Sequence, residues 1–94
     1  MALARVVSFE RVNADRMAQM SREMQEGERP EGLPAAEVIV LHDPDAEKSL
    51  AIVFFDNEDD YRQGDATLNA MPTGDTPGQR TSVTKYNVAV RMTA

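Results

Sequence analysis

The 94 residues contain no cysteine and no tryptophan. The first absence excludes a disulfide framework, a thiolate metal site and a cysteine nucleophile together. No stretch approaches the ~20 apolar residues that a membrane span requires. The opening Met1-Ala2-Leu3-Ala4-Arg5-Val6-Val7 carries one early arginine but no apolar run of signal-peptide length. The expectation is a cytoplasmic protein with no membrane partner. Positive charge is scarce as well: ten basic side chains face sixteen acidic ones, for a formal charge of −6. An acidic domain repels phosphate backbones unless a local basic patch overrides the average, so nucleic acid is not an expected partner.

What is present is ordinary globular composition, 41% hydrophobic and 28% charged. Residues 1–94 are read as a single domain, because a chain this short buries only roughly 60–65% of the surface its unfolded form exposes. A small domain without disulfide or metal staples gains buried surface by oligomerising, which makes a homodimer the expected state.

Leu3 to Phe9 is rich in β-branched and aromatic residues, with Leu3, Val7 and Phe9 on one face of a strand and Ala4, Val6 and Ser8 on the other. Asn13 is placed as an N-cap, Asp15 complements the dipole in the first turn, and a helix runs to about Glu26. Its apolar stripe is Met17, Met20 and Met24, meant for the sheet. The glycines and prolines between Gly27 and Pro34 form a loop. Ala36–His42 and Lys48–Phe55 are the strongest strand signals, and Asp43-Pro44-Asp45-Ala46 between them suits a tight turn, making an antiparallel hairpin. Asp56 to Asp60 then cap or open a second helix. Tyr61, Gly64, Leu68 and Met71 mark its buried face, and Pro72 ends it. After a second turn-rich segment, Thr81–Met92 reads as a long closing strand.

Strand, helix, strand, hairpin, strand, helix, strand is the ferredoxin-like β-α-β-β-α-β order: an α+β fold with a four-stranded antiparallel sheet and two helices on one face. The strands are apolar on both sides, as in Val38 and Val40 against Ile39 and Leu41, or Ile52 and Phe54 against Val53 and Phe55. An uncovered apolar sheet face is a large hydrophobic patch, and a second copy of the sheet is a simple way to bury it.

The stretch Ala51-Ile52-Val53-Phe54-Phe55-Asp56-Asn57-Glu58-Asp59-Asp60-Tyr61 is a core strand running directly into an acidic-capped helix with an early aromatic. With the element order around it, the chain resembles the dimeric α+β barrel proteins, in particular the small single-domain antibiotic-biosynthesis-monooxygenase-like (ABM-like) group. The resemblance covers nearly the whole length. It implies two sheets associating face to face through long edge strands, with a cleft between helices and sheet in each protomer for a small apolar or aromatic molecule. It also implies, as an activity, cofactor-independent monooxygenation, which asks mainly for positioning and exclusion of water. The haem-degrading members use an Asn, a Trp and a His around haem. This chain lacks tryptophan and has its one histidine at the hairpin, so no cofactor is expected.

The candidates for lining a pocket are His42, Tyr86, Asn87, Tyr61 and Met20. His42 with Asp43, Asp45 and Glu47 resembles a metal cluster, but the aspartates already shape a hairpin turn, and no metal is expected. The methionine stripe reads first as core filler and second as an adaptable pocket lining. Tyr86 and Asn87 offer a hydroxyl and an amide on opposite faces of one strand. Charges within strands must be paired, reach the rim or serve a ligand, and Arg5, Lys85 and Arg91 are expected as rim or intersubunit salt-bridge residues. No dyad or triad points to a catalytic residue. Related modules fail on their own signatures: there is no aromatic, glycine-rich RNA-binding strand motif, no Cys-x-x-Cys and no phosphate-cradling glycine loop after the first strand. A non-catalytic dimeric interaction or regulatory domain is the alternative reading.

Overall fold

Alternation along Leu3–Glu10 divides the first strand, β1, into two faces, and Leu3, Arg5, Val7 and Phe9 are all buried on the same one. The structure is a computed structural model that describes residues 2–27, 33–70 and 78–92. Five further elements follow β1: α1 (Ala14–Glu26), β2 (Glu37–Asp43), β3 (Lys48–Phe55), α2 (Glu58–Asn69) and β4 (Gln79–Asn87). The strands form one sheet in the order β2-β3-β1-β4, with every neighbouring pair antiparallel. This is the ferredoxin-like arrangement that the element order implies.

Helix boundaries follow from their caps. The Asn13 side chain accepts from the Arg16 amide at 2.8 Å, and Asn57 does the same for Asp60 at 2.8 Å. Asp15 lies in the first turn of α1 and Glu58, Asp59 and Asp60 in that of α2, where carboxylates meet the positive end of the helix dipole. At Gly27 the chain turns extended while its amide still reaches the Glu23 carbonyl at 2.8 Å. A side chain there would place its Cβ 2.6 Å from that carbonyl oxygen, so the close approach suits glycine.

Two apolar clusters fill the space between helices and sheet. At one end Leu3, Val53 and Phe55 pack with Ala35 and Tyr61, supported by Leu33, Val38 and Leu68. At the other, Val7, Phe9, Val12 and Met17 pack with Met20, Val40, Ala51 and Val83. Gly64 is a close approach between layers, since a Cβ there would overlap the Phe55 ring. Met17 is buried and Met20 half-buried, but Met24 is 49% exposed, so the methionine stripe meets the sheet over its first two members only.

β4 is shorter than the pattern suggests. Its ladder with β1 ends at the pair Leu3 and Asn87, and beyond that one further bond joins the Val88 amide to the Ala2 carbonyl at 3.0 Å. With no more of β1 to pair, residues 88–92 leave the ladder, and Arg91 reaches the carboxylate of Glu37 on β2 and the face of Phe54 on β3. A second departure from regularity is a register shift between β1 and β4: Ser8 pairs with Ser82 and Phe9 with Arg80, so Thr81 of β4 is the extra residue, and its hydroxyl donates to the Ser8 carbonyl at 3.2 Å. Met71, Pro72 and the loop expectations over 28–32 and 71–77 lie outside the described residues.

Candidate functional site

The hairpin end of the sheet is built around a backbone problem. Val12 is fully buried just after β1, so both of its peptide groups need partners. The β2–β3 hairpin supplies them. Glu47, held at φ 54 in the left-handed region, offers its carbonyl to the Val12 amide at 2.7 Å, and His42 Nε2 meets the Val12 carbonyl at 2.9 Å. A carbonyl only accepts, so Nε2 carries the proton and Nδ1 is the acceptor nitrogen of the neutral ring. Asp43 accepts from the Ala46 amide at 3.3 Å, so it shapes the turn as its residue type suggests. Among the described residues, no three histidine or acidic side chains converge to hold a metal ion.

Beside His42 lies a depression of about 510 Å³, wide open to solvent. Its wall takes Phe9, His42 and Ser49 from the helix-facing side of the sheet and Ser8, Leu41 and Leu50 from the other side. The register shift between Ser8 and Phe9 falls inside this wall. No residue of α1 or α2 lines it. The helix–sheet space itself is occupied by the two apolar clusters, so this depression is not the cleft between helices and sheet that the resemblance implies.

The five candidate side chains occupy three places. His42 borders the depression, and Met20 packs near it against the second cluster. Tyr61 sits at the other end, 7% exposed, its ring edge-on to Phe55 with 5.4 Å between centroids. Asn87 ends β4 opposite Leu3, at that same end. Tyr86 points to the opposite face beside Ala4 and is 55% exposed. Tyr86 and Asn87 thus lie on opposite faces, as alternation requires.

A polar network sits over the helix side of β1. Arg5 is 3% exposed; its Nε donates to Asp65 at 2.8 Å and its Nη2 to Asn69 at 3.0 Å, both on α2. Arg5 is therefore paired within its own chain rather than at a rim or across subunits. Its strand neighbour Lys85 lies 4.9 Å from the centre of the Tyr61 ring and pairs with Glu58. The Lys85 hydrogen bond holds the Glu58 carboxyl below the usual carboxylate range. Burial, reinforced by nearby Asp65, pushes the Tyr61 phenol up. Arg91 is likewise paired within the chain, with Glu37. The spacing Tyr61, Asp65, Asn69 is a single i, i+4, i+8 ridge, and Arg5 falls among the inward positions of β1; these are the signals that could have placed the buried pair.

The other face of the sheet carries no helix. Val6, Ile39, Ile52 and Phe54 are half-buried there, and Leu41, Leu50 and Tyr86 are exposed. Serine and threonine complete it at positions 8, 82 and 84, and its charges stand at the strand ends: Glu37 with Arg91, Asp43 opposite Lys48, and Glu10 at the end of β1.

Comparison with protein-family models, with curated proteins and with solved structures finds no match to this chain. Among the described residues, no helix is long and apolar enough to cross a membrane.

Proposed function

We propose that this chain works as a homodimer whose two sheets meet through their open faces, in the manner of the dimeric α+β barrel proteins it resembles, and that it binds a small apolar or aromatic molecule. The observation that carries the proposal is the open face itself: apolar or hydroxyl side chains throughout its middle, with charge only at the strand ends. In a chain of net charge −6, that is a surface where an identical copy can dock without burying unpaired charge. An isologous pairing needs such a self-complementary patch.

The proposal is for binding rather than catalysis. The five candidate side chains are spread over three places, and the charged groups beside Tyr61 are paired with one another, Arg5 with Asp65 and Lys85 with Glu58. Cofactor-independent monooxygenation therefore rests on the resemblance alone. A cytoplasmic setting belongs to the same reading. One observation favours the alternative of a non-catalytic interaction or regulatory domain: the helix–sheet space is filled by the two apolar clusters.

Sedimentation velocity over a range of concentrations tests the dimer, with Ile52→Lys as the control that places a charge in the middle of the open face. The expected result is a dimeric wild-type chain and a monomeric or aggregating variant. A wild type that stays monomeric at every concentration overturns the proposal.

A further inference from the structure

We propose that in the homodimer the depression at the β2–β3 hairpin end is filled by Val90 and Met92 of the second copy, so that each hairpin end lies against the opposite end of the other sheet. The inference rests on the face-to-face dimer proposed above and adds which way round the two copies meet.

The depression belongs mainly to the open face. Ser8, Leu41 and Leu50 of its wall lie on that face, and so do its charged members Glu10, Asp43 and Lys48, by the registers and by alternation along each strand. Leu41 and Leu50 are cross-strand partners, 50% and 37% exposed, so one chain leaves an apolar part of this hollow to water.

The opposite end of the same two strands carries the complement. Arg91 reaches Glu37 of β2 and lies over the Phe54 ring of β3, which brings the segment 88–92 to that end. Val90 and Met92 flank it at 77% and 87% exposure, more than any other large apolar side chain among the described residues. Apolar groups on a segment that is itself tied down call for a cover, and methionine adapts to an irregular hollow.

Symmetry joins the two ends. Along the open face of β2 and β3 the pairs Leu41–Leu50, Ile39–Ile52 and Glu37–Phe54 follow one another at equal steps. An isologous contact whose two-fold axis crosses the strands at Ile39–Ile52 lays Leu41–Leu50 of each copy on Glu37–Phe54 of the other. Each hollow then receives the Val90 and Met92 carried at the other copy's Glu37–Phe54 end, and both fill at once. Charge favours the same orientation. Glu10, Asp43 and Lys48 sum to one negative charge, so two hairpin ends laid together repel, whereas Arg91 and Glu37 cancel at the other end.

The chain has no cysteine, so one introduced thiol carries a spin label at a single place. Asp45→Cys puts it in the exposed hairpin turn, outside the wall of the depression. In dimers mixed from this labelled copy and a ¹⁵N-labelled wild-type copy, line broadening reads the contact between copies. The amides of Arg91 and Met92 should broaden while those of Ala46 and Lys48 stay sharp. Broadening at Ala46 and Lys48 instead overturns the inference and leaves the dimer standing.

Met92→Asp gives the energetic test. The side chain is nearly free within one chain, so the variant should keep the far-ultraviolet circular dichroism of the wild type. Its dimer dissociation constant, from sedimentation, should rise roughly ten-fold or more, because each dimer loses two buried methionines. An unchanged constant overturns the inference but not the dimer, and a wild type that is monomeric at every concentration overturns both. A dimer in which added 4-ethylphenol shifts the Leu41 and Leu50 amides also overturns the inference, since the second copy would then leave the hollow free for a ligand.

Discussion

The guanidinium of Arg5 on β1 and the carboxylate of Asp65 on α2 meet at 2.8 Å across sixty residues of sequence, with Arg5 3% exposed and Asp65 37%. The pair is asymmetric, and so are its consequences. Asp65→Ala strands a buried cation with only Asn69 to serve it and is expected to cost about 1.5–3 kcal/mol, the worth of a hydrogen bond to a charged group. Arg5→Met leaves a carboxylate that water reaches and fills its own space with an apolar chain, so it should cost less. Urea midpoints of the two variants check the order; an equal or reversed loss would mean that the pair does not tie α2 to the sheet.

Gly64 tests the spacing between layers. In an exposed helix interior, alanine would be favoured over glycine by about 1 kcal/mol. Here the added methyl meets the ring of Phe55, which is 1% exposed and hemmed in by Leu3, Val53 and Tyr61. Overpacking of that kind typically costs about 1–3 kcal/mol. Gly64→Ala is expected to lower the thermal midpoint, whereas Ala66→Gly on the exposed side of the same helix should show only the propensity loss.

The fold was legible because local signals agree with one another. Alternation in β1 and β3, the Asn13 cap, the acidic run from Asp56 to Asp60 that opens α2, and the aspartate-rich turn at 43–46 all act within a few residues, and all appear where the sequence places them. Long-range pairing was less legible. Arg5 reads as a rim residue because nothing near it in the chain offers a counter-ion; Asp65 becomes its neighbour only when α2 crosses β1. The end of β4 differs from the pattern for a similar reason: the apolar pattern continues to Met92, but the partner strand β1 begins at Leu3. The residue type of His42 stands out in the sequence, while its partner, the Val12 carbonyl, lies thirty residues away.

Tyr61 makes stability depend on alkaline pH. Burial, aided by Asp65, raises its phenol above the ordinary value near 10. The folded chain then holds a proton that the unfolded chain releases, so stability falls as pH rises. The contribution is complete below the unfolded value and is lost as pH climbs through the folded one. Urea midpoints between pH 9 and 11.5 should decline less steeply in Tyr61→Phe than in the wild type. Parallel declines would mean that Tyr61 does not differ between the two states.

Arg91 gives a test of local against global stability. Its ion pair with Glu37 is 40% and 45% exposed, and exposed pairs contribute at most about 1 kcal/mol. Its guanidinium also lies 4.5 Å from the centre of the Phe54 ring, at the corner of the open face. These two contacts, with the bond from Val88 to Ala2, hold the segment that leaves β4. Arg91→Ala should therefore shift the urea midpoint little while speeding hydrogen exchange at the Val88 amide, because that bond opens without the sheet unfolding. Unchanged Val88 exchange would mean that the segment is held from Ala2 alone. A large drop in global stability would mean instead that the Glu37 corner supports the β2–β3 pairing itself, since Glu37 is the first residue of that ladder.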